Sequence, residues 1–447
     1  MREIDKVIGQ RIEKGRRRRG LHQGRLGAEV GRSESWIGQV ERGVISLDSV
    51  SMAEQLARVL GLTVDHVLAF DVRYPGAVVV TQSGRSQAAF PPPPRAPAPD
   101  AESSETVLRR SFTLGSLAGL TAAIAGLSPD AQAQASRPGN AVDKAMVDEL
   151  RSIGASYRRS YKSFPAASLV SVAHHQIELV TRLRPKEQPA LLRDSLLTHM
   201  AEMAALAAIL LSLDIADQEQ ADAYSDLGYR IAREIRSPEL CALLLGGRAF
   251  RTSYGGDPEG GLDYALAAVD AAEGGGSARM KAWTYAVASE MYSSTGDEYG
   301  FRSSLDESRT VLLGPMDDER WSGIAWFDES KASAYEGSNL LRLGKYEEAL
   351  PSLDEALDRL PPEMLRHRCT AYIARAEAHA GAGHVDASCQ DGHAALDLVA
   401  HIQHHETLRR VGDLHRRLRP AKAAVTRSLG EHLVDTRSAL ATAGSPV

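Results

Sequence analysis

Residues 31–43 read GRSESWIGQVERG, and the reading of this stretch decides the N-terminal fold. Gly31 supplies a sharp turn. Ser33 is a residue type that caps helices by accepting a backbone N–H bond, and Gly43 closes the segment, so a helix is predicted over 34–42. Upstream, Ile4, Ile8 and Ile12, with Val7 beside them, recur at helical spacing and predict a first helix that ends in the run Arg16, Arg17, Arg18, Arg19 and the C-cap glycine Gly20. A second short helix is predicted over 23–30, with Leu26 and Val30 facing the core. Gly27 permits close helix approach there at some cost in propensity. Downstream, Asp48 caps a fourth helix carrying Val50, Ala53, Leu56, Ala57 and Leu60, stopped by Gly61; Thr63 caps a fifth carrying Val64, Val67 and Leu68.

The stretches RRRRGLHQGRLGAEVG, SESWIGQVERG and LDSVSMAEQLARVLGLTVDHVL resemble the lambda-repressor-like, or XRE, helix-turn-helix family over residues 4–70, and the third helix resembles an actinobacterial subgroup of it. The resemblance implies that the third helix lies in the major groove of a double-stranded DNA operator. It also implies that Gln23 reaches a phosphate or a base edge. Ser33, Glu34, Ser35 and Gln39 fall on the face that reads bases, where Gln pairs with adenine and Glu accepts from cytosine. Arg16, Arg17, Arg18, Arg19, Arg25, Arg32 and Arg42 are candidate phosphate anchors, which position without reading sequence. Trp36 is either core or a DNA contact, and Glu41 is expected to tie the third helix to an arginine of the first. Arg32 stands where the wider family usually has an aliphatic residue.

Charge is distributed in keeping with this. The whole chain of 447 residues has a formal net charge of -6, yet residues 1–75 hold 13 Lys/Arg against 10 Asp/Glu, and the first 32 residues hold 10 against 4. A basic head on an acidic body suits a DNA-binding domain joined to one that avoids DNA. The chain is too long for one ordinary core. Aromatic residues make up 5% of it, which leans all-α. Three cysteines, Cys241, Cys369 and Cys389, lie far apart and argue against a disulfide framework and for a reducing cytoplasm. With no apolar signal at the N-terminus, cytoplasmic residence is the expectation, with no membrane partner.

Residues 88–100, AAFPPPPRAPAPD, form neither helix nor central strand and read as a semi-rigid spacer. Beyond it, RRSFTLGSLAGLTAAIAGLSPDAQAQA from Arg109 to Ala135 resembles a twin-arginine export signal, but it sits deep within the chain and its apolar run is short for a membrane span. The preferred expectation is an apolar helix that packs on the following domain or pairs in a dimer.

From Val142 onward amphipathic helices follow one another. Turn-like dipeptides at Ala216-Asp217, Gly256-Asp257, Gly296-Asp297, Gly344-Lys345 and Gly383-His384 have second residues 40, 40, 48 and 39 positions apart, a period longer than the roughly 34 residues of a tetratricopeptide unit. Within NLLRLGKYEEALPSLDEALDRLP, 339–361, the residues Leu343, Gly344, Tyr346, Ala349, Leu353, Ala356 and Pro361 fall at tetratricopeptide positions. The region therefore resembles a tetratricopeptide-like solenoid. Near its end, TLRRVGDLHRRLRPAKAAVTRSLGEHL, 407–433, resembles the C-termini of actinobacterial regulators that join an XRE domain to such repeats.

First helices of stacked pairs build a concave surface that holds peptides or small ligands in such arrays. Arg251, Tyr254, Tyr285, Tyr292, Trp326, Tyr335 and Asn339 are the candidates by helix position, each weighed against a place in the inter-helix core. His401 and His405, four apart, are a conceivable metal pair, but no third ligand stands at tight spacing. No phosphate loop, nucleophile elbow or HExxH occurs, so nothing points to an enzyme or a cofactor. The expected architecture is all-α: a five-helix helix-turn-helix domain (1–75), a Pro-rich linker (76–105), an apolar connecting helix (106–140), a tetratricopeptide-like array (141–435) and a disordered tail (436–447). The expected function is a sequence-specific, homodimeric DNA-binding regulator sensing a small-molecule or peptide effector; the alternative is an interaction scaffold whose helix-turn-helix domain only docks.

Overall fold

The structure, a computed structural model, describes residues 3–45, 47, 50–60, 62, 127, 142–183, 189–316, 325–421 and 424–443. The Asp48 cap, the fifth helix from Thr63, the Pro-rich linker and, Leu127 excepted, the connecting helix with its export-like segment lie outside them. Every regular element among the described residues is helical, and the chain divides into two units, 1–89 and 90–447.

The first unit contains α1 (Glu3–Arg18), α2 (Gln23–Glu29), α3 (Glu34–Glu41) and α4 (Val50–Leu60). Periodic apolar residues bury one face of each helix: Ile8 and Ile12 from α1, Leu26 from α2, Ile37 and Val40 from α3, Leu56 and Leu60 from α4. Gly20, Gly31 and Gly43 all adopt positive φ, +61°, +66° and +68°, a conformation that costs an L-residue with a Cβ but not glycine. They end α1, α2 and α3 in turn, as the punctuation of the sequence predicts.

The second unit opens with α5 (Lys144–Ser160) and α6 (Ala166–Leu183), which both pack on α7 (Ala190–Leu210), and continues as an array of helix pairs: α7 with α8 (Gln218–Glu234), α9 (Pro238–Tyr254) with α10 (Pro258–Glu273), and α11 (Ala278–Ser294) with α12 (Glu298–Leu312). These are followed by α13 (Glu329–Arg342) with α14 (Tyr346–Arg359), α15 (Leu365–Gly381) with α16 (Val385–Ile402), and α17 (His405–Leu418) with α18 (Ala424–Ala443). First helices also pack on first helices of neighbouring pairs, which is how stacked repeats bury a continuous core. The five turn sites read from the sequence are the turns inside the pairs: Ala216, Gly256, Gly296, Gly344 and Gly383 have φ of 67°, 101°, 78°, 75° and 85°. The next residue opens the second helix of the pair, and Asp217, Asp257 and Asp297 cap it by accepting from the backbone N–H three residues on. The longer spacing of 48 residues comes from the segment 313–328 between α12 and α13. In the pair recognised from its sequence, a Cβ on Gly337 would lie 2.4 Å from Leu353, and one on Gly381 of the next pair would lie 2.4 Å from the Tyr346 ring, so small residues admit the bulky ones.

Two features depart from expectation. α7 runs without a break into a π-helical turn, Leu211–Ile215. With that extension, 190–215 is long and apolar enough to cross a membrane, but 83% of its most apolar stretch is buried within the array. Within the tail expected from 436, residues 436–443 belong to α18, which continues to Ala443 and buries Thr436; residues 444–447 lie outside those described. The apolar residues of α18 make it the second helix of a last pair.

The ends of the array meet. The Arg366 guanidinium at the start of α15 donates through Nε to Asp214 Oδ1 at 2.8 Å, through Nη1 to the Tyr161 carbonyl, and through Nη2 to the Ile402 carbonyl at 3.3 Å. Both charged side chains are almost wholly buried, 2% and 1% exposed.

Candidate nucleic-acid interface

α3 presents two unlike faces because its residues alternate in kind at helical spacing. Ile37, Gly38, Val40 and Glu41 are buried. Ser33, Glu34, Ser35 and Arg42 are exposed, and Trp36 and Gln39 are half-buried. The Ser33 side chain accepts the N–H of Trp36 at 3.2 Å, which starts the helix at that point and leaves its first turn facing outward. Gln39 Nε2 lies 3.4 Å from Ser35 Oγ, so the two polar groups stand side by side on the outer face. The Arg32 guanidinium lies 5.3 Å from the centre of the Trp36 ring, and the indole packs partly on the core. Arg32 is thus accommodated by stacking on Trp36 rather than by burial.

The orientation of α3 is held from beneath by a charged network. Arg16 of α1 donates through Nε to Glu41 Oε1 at 2.5 Å, through Nη2 to Glu41 Oε2 at 2.9 Å and through Nη1 to the Leu21 carbonyl at 2.9 Å. Gln23 of α2 donates to Glu41 Oε2 at 2.7 Å. The Arg16 pKa is raised, foremost by its hydrogen bond to Glu41. One carboxylate from α3 therefore gathers donors from α1 and α2. The tie expected from Glu41 to an arginine of the first helix is present and falls on Arg16. As a phosphate anchor Arg16 is corrected: its side chain is 11% exposed and all its nitrogens are engaged inside the domain.

The other cationic candidates differ. Arg17 and Arg25 are exposed and make i,i+4 pairs with Glu13 at 2.6 Å and Glu29 at 3.7 Å, contacts of a kind that yield readily to a phosphate. Arg19, Arg32 and Arg42 are exposed. The close approach of α1 to α3 is absent from the sequence reading: a Cβ on Gly9 would lie 2.4 Å from the Glu41 carbonyl oxygen. A glycine between Ile8 and Ile12 in an otherwise good helix was the available signal.

The seven array candidates fall into several environments. Asn339 is corrected: it is fully buried, its Nδ2 donates to Ser289 Oγ and its Oδ1 accepts from Ser293 Oγ, both at 3.0 Å, so it ties α13 to α11. Tyr292 fills the space over Gly300, where a Cβ would lie 2.4 Å from the ring. The Tyr285 hydroxyl lies 3.4 Å from Glu273 Oε1. Trp326 donates to Asp328 Oδ2 at 3.0 Å beneath the Arg279 guanidinium, and Tyr335 packs edge-on against Phe327. The Tyr254 hydroxyl donates to Glu290 Oε1, which also accepts from Arg342 at 2.6 Å. Arg251 is buried and reaches Asp222 Oδ1 through Nε at 3.1 Å.

His401 lies on α16 and His405 opens α17, with Gln403 between them at φ 60°, so they do not share a helix face. Among the described residues no three His, Cys, Asp or Glu side chains are grouped to hold a metal. Cys241, Cys369 and Cys389 are free and buried.

Residues 7–70 match the family model of a helix-turn-helix domain. Comparison with curated proteins finds no match. Among solved structures the chain is similar to a Rap protein complexed with competence and sporulation factor, at 14% identity over 66% of this chain and 77% of that chain, with a TM-score of 0.44.

Proposed function

We propose that this chain, which joins a helix-turn-helix DNA-binding domain to an array of helical repeats, is a cytoplasmic transcriptional regulator of the XRE type. It reads an operator as a homodimer, and its array receives a small-molecule or peptide effector. The observation that carries the reading is the division of α3: its inward face is fixed by Ile37, Val40 and the Arg16–Glu41–Gln23 network, while Ser35, Gln39 and Arg42 are left outward. Short polar groups reach base edges and the flanking arginines take phosphates. An effector changes DNA binding to the extent that it has unequal affinity for two arrangements of the protein.

Genome-wide mapping of DNA bound to the full chain tests this, with the Gln39→Ala variant beside it. The expected result is a short set of sites sharing a two-fold motif, which blurs in the variant. Uniform background in both, at a salt concentration where basic domains still hold DNA, would remove the proposal.

A further inference from the structure

Arg32 is the residue between the turn glycine Gly31 and the cap Ser33, and its backbone has little freedom. Its N–H donates to the Gly27 carbonyl at 2.7 Å, and α2 lies so close beneath that a Cβ on Gly27 would come within 2.5 Å of the Arg32 carbonyl oxygen. The side chain is directed in turn. Four residues on, the Trp36 indole is half-buried against the core of the domain, and the Arg32 guanidinium lies 5.3 Å from the centre of its ring, a contact that restrains an exposed cation.

Other outward arginines of this domain are placed differently. Arg17 and Arg25 reach along their own helices to Glu13 and Glu29, whereas Arg32 forms no ion pair among the described residues. A phosphate asks for positive charge and a donor from any direction, and a mobile side chain supplies both. A guanine asks for more: two parallel N–H donors in the plane of the base pair, aimed at O6 and N7. A guanidinium with one face against an indole keeps its planar donor edge open and has less freedom to lose when that edge is used. Trp36 follows Ser35 by one residue, so the stack lies about 100° round the helix from Ser35 and Gln39 and borders the outward face that those two form.

We propose that Arg32, oriented by its stack on Trp36, reads a guanine at the border of the bases reached by Ser35 and Gln39, in place of the phosphate role expected from its residue type. The proposal rests on the reading of the first unit as a DNA-reading domain, and it names a base that the domain discriminates and the residues responsible.

The test selects duplexes from a randomised library with the full chain, beside Arg32→Ala and Trp36→Leu. Wild type should select a motif in which a G·C pair borders the bases that change in Gln39→Ala. In Arg32→Ala, discrimination at that pair should fall by roughly 5- to 150-fold, the worth of a bidentate contact, with the rest of the motif and the salt slope kept. Replacing the guanine by 7-deazaguanine removes N7, so wild type should bind the modified duplex about fivefold more weakly or worse, and Arg32→Ala should not distinguish the two. Trp36→Leu leaves the arginine but frees it, and should weaken discrimination at that pair alone. Arg32 is exposed, so its substitution keeps the fold and carries the test if Trp36→Leu does not fold. Two results would overturn the proposal: a wild-type motif in Arg32→Ala with a salt slope lower by about one, which marks a phosphate anchor, or wild-type affinity indifferent to 7-deazaguanine at every guanine of the motif. Discrimination unchanged in a folded Trp36→Leu would remove the role given to the stack. A wild-type chain that selects no motif removes the DNA-reading function and this proposal together, whereas a motif that survives Arg32→Ala removes this proposal alone.

Discussion

Replacing Glu41 by Gln keeps the shape of the side chain and removes its charge. In the native domain the two carboxylate oxygens accept from Arg16 Nε, Arg16 Nη2 and Gln23 Nε2. A glutamine has one oxygen and one NH₂, so at least one donor must face another donor. The Arg16 cation, 11% exposed, stays where it is, since arginine does not deprotonate in proteins. Breaking a buried pair from one side costs about 3–5 kcal/mol. A domain of this size has a total stability on the order of 4–10 kcal/mol. The substitution therefore removes a third or more of it. Hydrogen exchange followed by mass spectrometry on the full chain reads this locally: amides of α1 and α3 should exchange on the order of 10²- to 10⁴-fold faster, while peptides of the array serve as an unchanged internal standard. Replacing both partners, Arg16→Met with Glu41→Leu, should recover most of the loss, because apolar residues of similar volume substitute for a buried pair at little net cost. The double variant should also keep the wild-type salt dependence of DNA binding, since Arg16 faces inward. Exchange within threefold of wild type in Glu41→Gln, or a double variant whose salt slope falls by about one, would refute the assignment of Arg16 to the interior.

Three further outcomes follow from particular contacts. Gly27→Ala places a Cβ only 2.5 Å from the Arg32 carbonyl oxygen, so despite a better helix propensity it should lower the domain's stability by about 1–3 kcal/mol in a chemical melt; a stabilised variant would show that α2 can shift freely. Gln39→Ala should relax base preference by about 1–3 kcal/mol at one position with the salt slope kept, whereas Arg42→Ala should lower the slope by about one and leave the preference intact; operator titrations from low to high salt separate the two. In the array, burial pulls the pKa of His199 and of His404 down to about 3. Such histidines stay neutral when folded, so their contribution is full above the unfolded pKa near 6.5 and is lost as pH falls from there toward 3, by about 1.4 kcal/mol per unit for each group. Melts of the array between pH 7 and 4 should show this slope, and His199→Gln should reduce it by one group's share; a flat profile would mean that both rings are reached by water.

What was legible in the sequence were the features that act locally. Gly31, Ser33 and Gly43 each specify the conformation of their own stretch of backbone, and the turn dipeptides from Ala216 to Gly383 do the same for the array, so helix order could be read without knowing what touched what. The polar fates were not legible. Arg16 and Arg17 are neighbours of one type in one run, yet a turn of about 100° along the helix sends one inward to Glu41 and the other to solvent. Asn339 has the residue type of a ligand contact on a first helix, but its partners, Ser289 and Ser293, lie some 50 positions away, and nothing local announces them. The Arg366–Asp214 contact, 152 residues apart, is the extreme case of the same limit.

That contact changes how the array behaves as a body. In an open solenoid each pair touches only its neighbours, so opening at one place is felt one repeat away. Here Arg366 binds the π-helical extension of α7, the turn after α5 and the end of α16 at once, which joins the early repeats to the late ones without passing through α9 to α14. Asp214 sits in the π-helical turn that continues α7 without a break. Opening at Arg366 is therefore felt in the early and the late repeats at once, which a chain of nearest-neighbour contacts would not do.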